Sequence, residues 1–183
     1  MLDDNSSILV PYDGTELSLK ALEKAEELGQ KLNSQIIILY VIDDRSVYPV
    51  EIQKFVTRIQ DLDNLKEQFV NIIREAVVSM LKERADKLKE NGLNVDFIIR
   101  IGSPGDEIVA VAAENDADMI VMGTSGALRT RQAKRGLGSI SRWVSEMANC
   151  QVVLIRKHKL SYAVFSTGGN LLYYLRNYTI FGI

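Results

Sequence analysis

The chain has 183 residues, of which 46% are hydrophobic and 25% are charged, and its formal net charge is −2. That length suits one domain with a sizeable core, and so small a charge gives no bulk attraction to nucleic acid or to an acidic membrane. A single cysteine and a single histidine, Cys150 and His158, exclude an intramolecular disulfide and cannot by themselves build a zinc site or a Ser–His or Cys–His nucleophile pair. We expect a cytoplasmic protein that contacts neither nucleic acid nor membrane, because no signal peptide and no apolar run of about 18 residues is present.

Five short apolar runs predict β-strands at residues 8–10, 35–42, 95–101, 119–122 and 152–155. Four of them are almost continuously apolar, which is typical of parallel strands covered on both faces. The third run alternates, with Val95, Phe97 and Ile99 set against Asp96 and Arg100, and this pattern favours an edge strand.

Helical patterns lie between these runs. Thr15 is the predicted N-cap of the first helix, whose apolar stripe is Leu17, Ala21, Ala25, Leu28 and Leu32. Pro49 opens a second helical region that runs through residue 59, and a break near residues 61–63 precedes a long helix ending at Asn91 and Gly92. Ser103 and Pro104 begin the next helix. The last helix follows Gly138 and Ser139, and we expect it to turn Trp143 and Met147 inward.

Alternation of strands and helices, with right-handed crossovers, predicts an α/β fold with a doubly wound parallel sheet. We divide the chain into a domain at residues 1–157 and a C-terminal extension at 158–183, because the chain becomes rich in aromatic residues after Lys159. This tail either covers a face or an edge of the sheet or forms a contact between subunits.

The segment from Gly123 to Ser139 combines glycines, four basic side chains and the start of a helix. Glycines let a backbone approach a ligand closely, and free N–H groups at a turn or a helix N-terminus bind anions. In open α/β sheets ligands bind at the carboxyl ends of the strands, where this segment begins. The segment lacks the pattern of a P-loop, and a solvated flexible loop is the simpler alternative.

Three blocks of sequence resemble the universal stress protein family: residues 8–18 (ILVPYDGTELS), 101–108 (IGSPGDEI) and 117–126 (ADMIVMGTSG). The likeness covers about residues 6 to 157, with the blocks in the family's order and spacing. It implies a Rossmann-like sheet of five parallel strands in the order 3-2-1-4-5, and usually a homodimer. ATP-binding members carry Gly-x2-Gly-x9-Gly-Ser/Thr after the fourth strand, and the glycine pattern here is similar to theirs.

The spacer between Gly126 and Gly138 has eleven residues here instead of nine. Either the two extra residues bulge outward and both phosphate-binding ends survive, or Gly136 takes the place of the third glycine and Leu137 replaces the hydroxyl.

The resemblance implies a site for ATP or AMP, with any Mg²⁺ brought mainly by the nucleotide. Asp13 would bond the ribose hydroxyls, the Val41 backbone would hold adenine, and Pro11 and Met122 would line the pocket. The residues expected around the phosphates are Ser125, Gly126, Gly138, Ser139 and Ile140. The complete predicted set adds Pro11, Tyr12, Asp13, Val41, Met122 and Gly123.

Three functions follow as hypotheses. The first is a regulatory protein of the stress response that binds an adenine nucleotide, with weak ATP hydrolysis left open because no residue stands out as a general base. The second is an interaction module that binds no nucleotide and docks a partner through its aromatic tail. The third, an adenylating enzyme, is disfavoured because the chain lacks the Ser-Gly-Gly-x-Asp-Ser loop and the His-x-Gly-His motif of such enzymes.

Overall fold

The computed structural model describes residues 6–43, 62–124, 137–156, 161–165 and 171–176. Within that part of the chain, no helix is both long enough and apolar enough to cross a membrane.

The sheet has five parallel strands in the order β3-β2-β1-β4-β5, as predicted. The strands are β1 (Ser7–Pro11), β2 (Gln35–Ile42), β3 (Val95–Ile101), β4 (Met119–Gly123) and β5 (Gln151–Ile155). Strand order reverses between β1 and β4, which lie side by side at the centre. β3 forms one edge, in agreement with its alternating sequence.

Among the described residues, four helices connect these strands: α1 (Glu16–Leu32), α2 (Leu62–Glu90), α3 (Pro104–Glu114) and α4 (Ser139–Met147). Thr15 caps α1 as predicted, because its side chain accepts a hydrogen bond from the N–H of Ser18. Ser103 is the N-cap residue of α3 and Pro104 follows it, although the Ser103 side chain makes no capping hydrogen bond. The second predicted helical region, residues 49–59, lies outside the described residues.

The strands alternate their side chains between two hydrophobic cores. On one face, α1 and α2 pack against residues such as Val10, Ile38 and Val121. On the other face, α3 and α4 pack against Leu39, Met122 and other alternate residues. The two faces are called here the α1/α2 face and the α3/α4 face.

The predicted orientation of α4 is wrong. Trp143 and Met147 are 44% and 48% exposed, and the helix instead turns Ser141, Val144 and Ser145 inward. Both sets recur every three or four residues, so the helical period allowed either face to point at the sheet. The inward face prevails because its small side chains let the helix approach the sheet and its hydroxyls find hydrogen-bond acceptors. Leu32, predicted on the inward stripe of α1, is likewise exposed at the last residue of that helix.

The tail extends the sheet at its edge. Strand β6 (Ser161–Phe165) pairs antiparallel with β5, and β7 (Leu171–Arg176) pairs antiparallel with β6, so that the sheet has seven strands in the part of the chain that the structure describes. We expected the tail to cover a face or an edge of the sheet or to form a contact between subunits. Its described residues lie at the edge of the sheet.

Candidate functional site

The carboxyl end of β1 is the point where the chain leaves the sheet for α1. The Tyr12 N–H still donates to the Leu39 carbonyl of β2, at 2.8 Å, but the next residues turn away. Gly14 has a φ of +77°, a left-handed conformation that glycine adopts without strain. The register of β1 with β2 ends at Pro11 and Leu39, and the space beside the remaining residues of β2 is called here the gap. Asp13 lies in the turn that follows β1.

The Asp13 carboxylate is exposed and oriented by its neighbours. Its Oδ1 accepts hydrogen bonds from the N–H and the Oγ1 of Thr15, at 3.1 and 2.6 Å. These two bonds use one oxygen of an exposed carboxylate. Tyr40 lies nearby on β2: burial and, second, the negative charge of Asp13 raise the pKa of its phenol.

The backbone of Val41 faces the gap. In a parallel strand the N–H and C=O of successive residues point alternately to the two neighbouring strands. The Leu39 carbonyl bonds β1 and the Ile42 carbonyl accepts from Gly102 beyond β3, so Val41 points toward β1. Because β1 ends at Pro11, opposite Leu39, the N–H and C=O of Val41 face the space that β1 has left.

The predicted site residues divide between the two faces of the sheet. Val41 and Met122 lie on the α3/α4 face, and Pro11 lies there too because it alternates with Val10. These three side chains border the same end of the sheet. Tyr12 does not join them, since its buried ring packs in the core of the α1/α2 face.

Gly123 also lies toward the α1/α2 face, at the end of β4. A Cβ at this position would lie 2.9 Å from Cβ of Leu17 in α1. Packing of α1 therefore requires glycine here, whatever Gly123 does toward a ligand.

The N-terminus of α4 is held against the end of β4. The Gly138 N–H donates to the Thr124 carbonyl at 2.7 Å, and the Thr124 N–H donates to the Ile155 carbonyl of β5 at 3.0 Å. Ser139 and Ile140 form the exposed first turn. This turn has no side-chain cap and no acidic residue, unlike that of α1, so its N–H groups and the helix dipole favour an anion.

The hydrogen bond between Thr124 and Gly138 bears on the length of the spacer. It joins the residue that follows β4 to the residue that opens α4, although thirteen residues, 125 to 137, lie between them in the chain. Gly138 and Ser139 thus retain the helix-opening position. Two predicted phosphate ligands, Ser125 and Gly126, lie outside the described residues.

Two residues of this region are absent from the set predicted from the sequence. Thr124 and Ser141 are both buried, and the Ser141 hydroxyl donates to the Thr124 carbonyl. The sequence pattern that could have identified Ser141 is its spacing of four residues from Ser145, which places both serines on one side of α4. The large apolar residues of that helix lie on the other side.

Other reactive groups lie away from this edge. Cys150 precedes β5 at the opposite end of the sheet, and burial, followed by the charge of Asp118, raises the pKa of its thiol to about 11. The thiol is therefore protonated and weakly nucleophilic at neutral pH. Among the described residues, no three His, Cys, Asp or Glu side chains come together as metal ligands.

Comparison with known proteins places the chain among relatives of this architecture. A protein of Methanothermobacter thermautotrophicus, named universal stress protein, is 32% identical over 167 residues, covering 85% of this chain and 99% of the relative. The solved structure of MJ0577, a universal stress protein of Methanocaldococcus jannaschii, has a TM-score of 0.69 at 25% identity and covers 84% of this chain and 97% of its own.

A universal stress protein solved in complex with cAMP shares the fold, with a TM-score of 0.57 at 22% identity over 82% of this chain and 96% of that one. The model of the universal stress protein family matches residues 5–156. This chain therefore belongs to the universal stress protein family.

Proposed function

We propose that this protein is a regulatory protein that binds an adenine nucleotide at the carboxyl edge of its parallel sheet. The base lies in the gap beside β2, the ribose at Asp13 and the phosphates at the N-terminus of α4. The observation that carries the proposal is the docking of that helix N-terminus on β4, at the edge that also holds Asp13 and Val41.

The base end suits adenine by its hydrogen-bonding pattern. One N–H and one C=O of Val41 face the gap, and adenine offers an acceptor, N1, next to a donor, its 6-amino group. Guanine presents the reverse pair, a protonated N1 beside O6. Pro11 and Met122 supply apolar surface around such a base. The related structure in complex with cAMP supports an adenine ligand.

The ribose end suits a diol. A carboxylate accepts hydrogen bonds from both hydroxyl groups of a ribose, and the Asp13 side chain is exposed while Thr15 holds its Oδ1. The Thr15 contacts keep the carboxylate oriented before the ligand arrives, which lowers the entropic cost of binding.

The phosphate end suits an anion without a metal cluster of the protein's own. The uncapped first turn of α4 provides backbone N–H groups at Ser139 and Ile140. Ser125 and Gly126 complete the proposed phosphate site by the family resemblance, and any Mg²⁺ arrives with the nucleotide. We propose that occupancy of this site by the nucleotide regulates contacts with partners in the stress response.

The decisive experiment is calorimetric titration of the purified protein with ATP, AMP, adenosine and GTP. We expect uptake of ATP in the micromolar range, weaker binding of adenosine and still weaker binding of GTP. Native mass spectrometry of the same protein identifies any nucleotide that copurifies. Absence of uptake of every adenine ligand would refute the proposal and leave an interaction module as the function.

Substitution of Asp13 tests the ribose contact. Asp13→Asn keeps an acceptor for Thr15 but removes the charge, and we expect ATP and adenosine to weaken alike, by about tenfold, as for a charged hydrogen bond. Asp118→Asn is the matched control, because Asp118 also accepts a backbone N–H, that of Ser7 at 2.9 Å, but at the opposite edge of the sheet. Equal losses in both variants would contradict the assignment of Asp13.

A further inference from the structure

A buried hydroxyl joins α4 to the central sheet. Ser141 is 2% exposed, and its Oγ lies 3.0 Å from the Thr124 carbonyl oxygen and 3.1 Å from that of Gly138. The bond to Thr124 crosses from the helix to the end of β4, while the contact with Gly138 stays within the first turn. A buried hydroxyl is costly unless it donates a hydrogen bond, and the single proton of Ser141 has both of these carbonyl oxygens within reach.

The Thr124 carbonyl is the meeting point of two donors. It accepts from the Gly138 N–H at 2.7 Å and from the Ser141 hydroxyl at 3.0 Å. Thr124 is itself fixed, because its N–H donates to the Ile155 carbonyl of β5. A continuous set of hydrogen bonds therefore runs from the sheet to the first turn of α4.

We propose that Ser141 is a positioning residue for the phosphate site, holding Gly138 and Ser139 against β4 independently of the segment that connects them. The inference rests on the proposed function for the identity of the ligand. Ser141 touches no phosphate. It fixes where the N–H groups of the first turn point, and it does so from inside the core, through its contacts with the carbonyl oxygens of Thr124 and Gly138.

Ser145 provides the matched comparison. It is also buried and lies one turn further along α4, but its hydroxyl donates to the Ser141 carbonyl at 2.7 Å, within the helix. Ser145→Ala and Ser141→Ala thus remove the same atom from the same helix, and only Ser141→Ala removes a bond to β4. Alanine favours helix in both cases, so both variants are expected to fold.

The first measurement is the affinity of each variant for ATP and for adenosine. For Ser141→Ala we expect a loss of about fivefold in ATP affinity, the effect of one hydrogen bond, with adenosine affinity unchanged. Ser145→Ala should leave both unchanged. A loss of the same size for ATP and adenosine in Ser141→Ala, or equal losses in the two variants, overturns the inference.

The second measurement separates this inference from the proposed function. Amide hydrogen exchange of Gly138, the donor to Thr124, should accelerate in Ser141→Ala and not in Ser145→Ala, with or without nucleotide. If the unmodified protein binds no adenine ligand, the proposed function fails, and the exchange rate still decides whether Ser141 holds the first turn. Unchanged exchange in Ser141→Ala refutes the positioning role.

The third measurement tests independence from the connecting segment. Deletion of Gln132 and Ala133 shortens that segment without removing a glycine or a charge. We expect the deletion to change ATP affinity by less than about twofold in the unmodified protein but by more in Ser141→Ala, so that the two changes are not additive. An equal effect of the deletion in both backgrounds contradicts the proposal.

Discussion

At the scale of single residues, a glycine near the candidate site is required for packing, whatever it does toward a ligand. Gly123 closes β4 at the point where Leu17 of α1 crosses it, and a side chain would meet backbone atoms of Leu17 as well as its Cβ. The sequence motif drew attention to this glycine for its approach to phosphate, whereas the structure gives it a contact on the opposite face of the sheet.

We expect Gly123→Ala to destabilise the protein by about 1–3 kcal/mol, because overpacking against a backbone cannot be relieved by a rotamer change. Gly29→Ala is the control. Its Cβ would meet side-chain atoms of Ile36 and Leu93 at 3.2 Å, farther than the 2.9 Å at Gly123 and with no backbone atom among its nearest contacts, and alanine favours the α1 helix in which it lies. Urea denaturation measures both variants, and equal midpoints would contradict the argument.

At the scale of elements, α4 shows how the choice of helix face depends on hydrogen bonding. Ile140, Trp143 and Met147 form its apolar stripe, yet all three are substantially exposed. Ser141 and Ser145 lie on the inner side because their hydroxyls bond to carbonyls at the end of β4 and within the helix. Helix boundaries follow from local signals such as caps, but rotation about the helix axis depends on contacts with other elements.

Trp143 reports on the packing of α3 against α4. It is the single tryptophan of the chain, and a Cβ at Gly105 of α3 would lie 2.7 Å from its Cδ1. In Gly105→Ala the indole must move outward, so we expect a red-shifted emission and stronger quenching by acrylamide. Gly29→Ala, remote from the indole, should leave the emission unchanged. Unaltered quenching in Gly105→Ala would show that the helices separate without moving the ring.

At the scale of the whole molecule, the tail changes which strand lies at the edge of the sheet. β6 pairs with β5, and β7 pairs with β6, so the backbone groups of β5 that would otherwise be unpaired are occupied. An unpaired edge invites pairing with a second chain. The homodimer expected from the family resemblance, and the division of the chain at residue 157, remain predictions.

Deletion of residues 160–183 tests the role of the tail. We expect the remaining five-stranded domain to fold and to keep its nucleotide affinity, since the candidate site lies on β1, β2, β4 and α4. The exposed edge of β5 should then cause concentration-dependent association, measured by light scattering after size-exclusion chromatography. Deletion of residues 177–183 alone keeps β6 and β7 and should cause no such association. Unfolding, or loss of nucleotide uptake, in the longer deletion would contradict the view that the domain and its candidate site do not depend on the tail.

Much of this architecture could be predicted from local patterns. The bounds predicted for β2 and β3 agree with the structure at both ends, because apolar runs bordered by polar residues mark buried strands clearly. Asp13 and Val41 could be placed at one edge because the carboxyl ends of parallel strands meet there. The direction of the Val41 backbone and the contact between Gly123 and Leu17 could not, since both depend on residues distant in the chain.

The sequence by itself determined the alternation of strands and helices and, through its resemblance to known members, the family. These properties arise from periodicity, caps and glycine motifs, which are local. Only the tertiary structure decided that Ser141 faces inward while Trp143 faces out, that Gly138 bonds to Thr124, and that the tail pairs with β5. Each of these is a contact between distant segments, and its free energy depends on which groups the fold brings together.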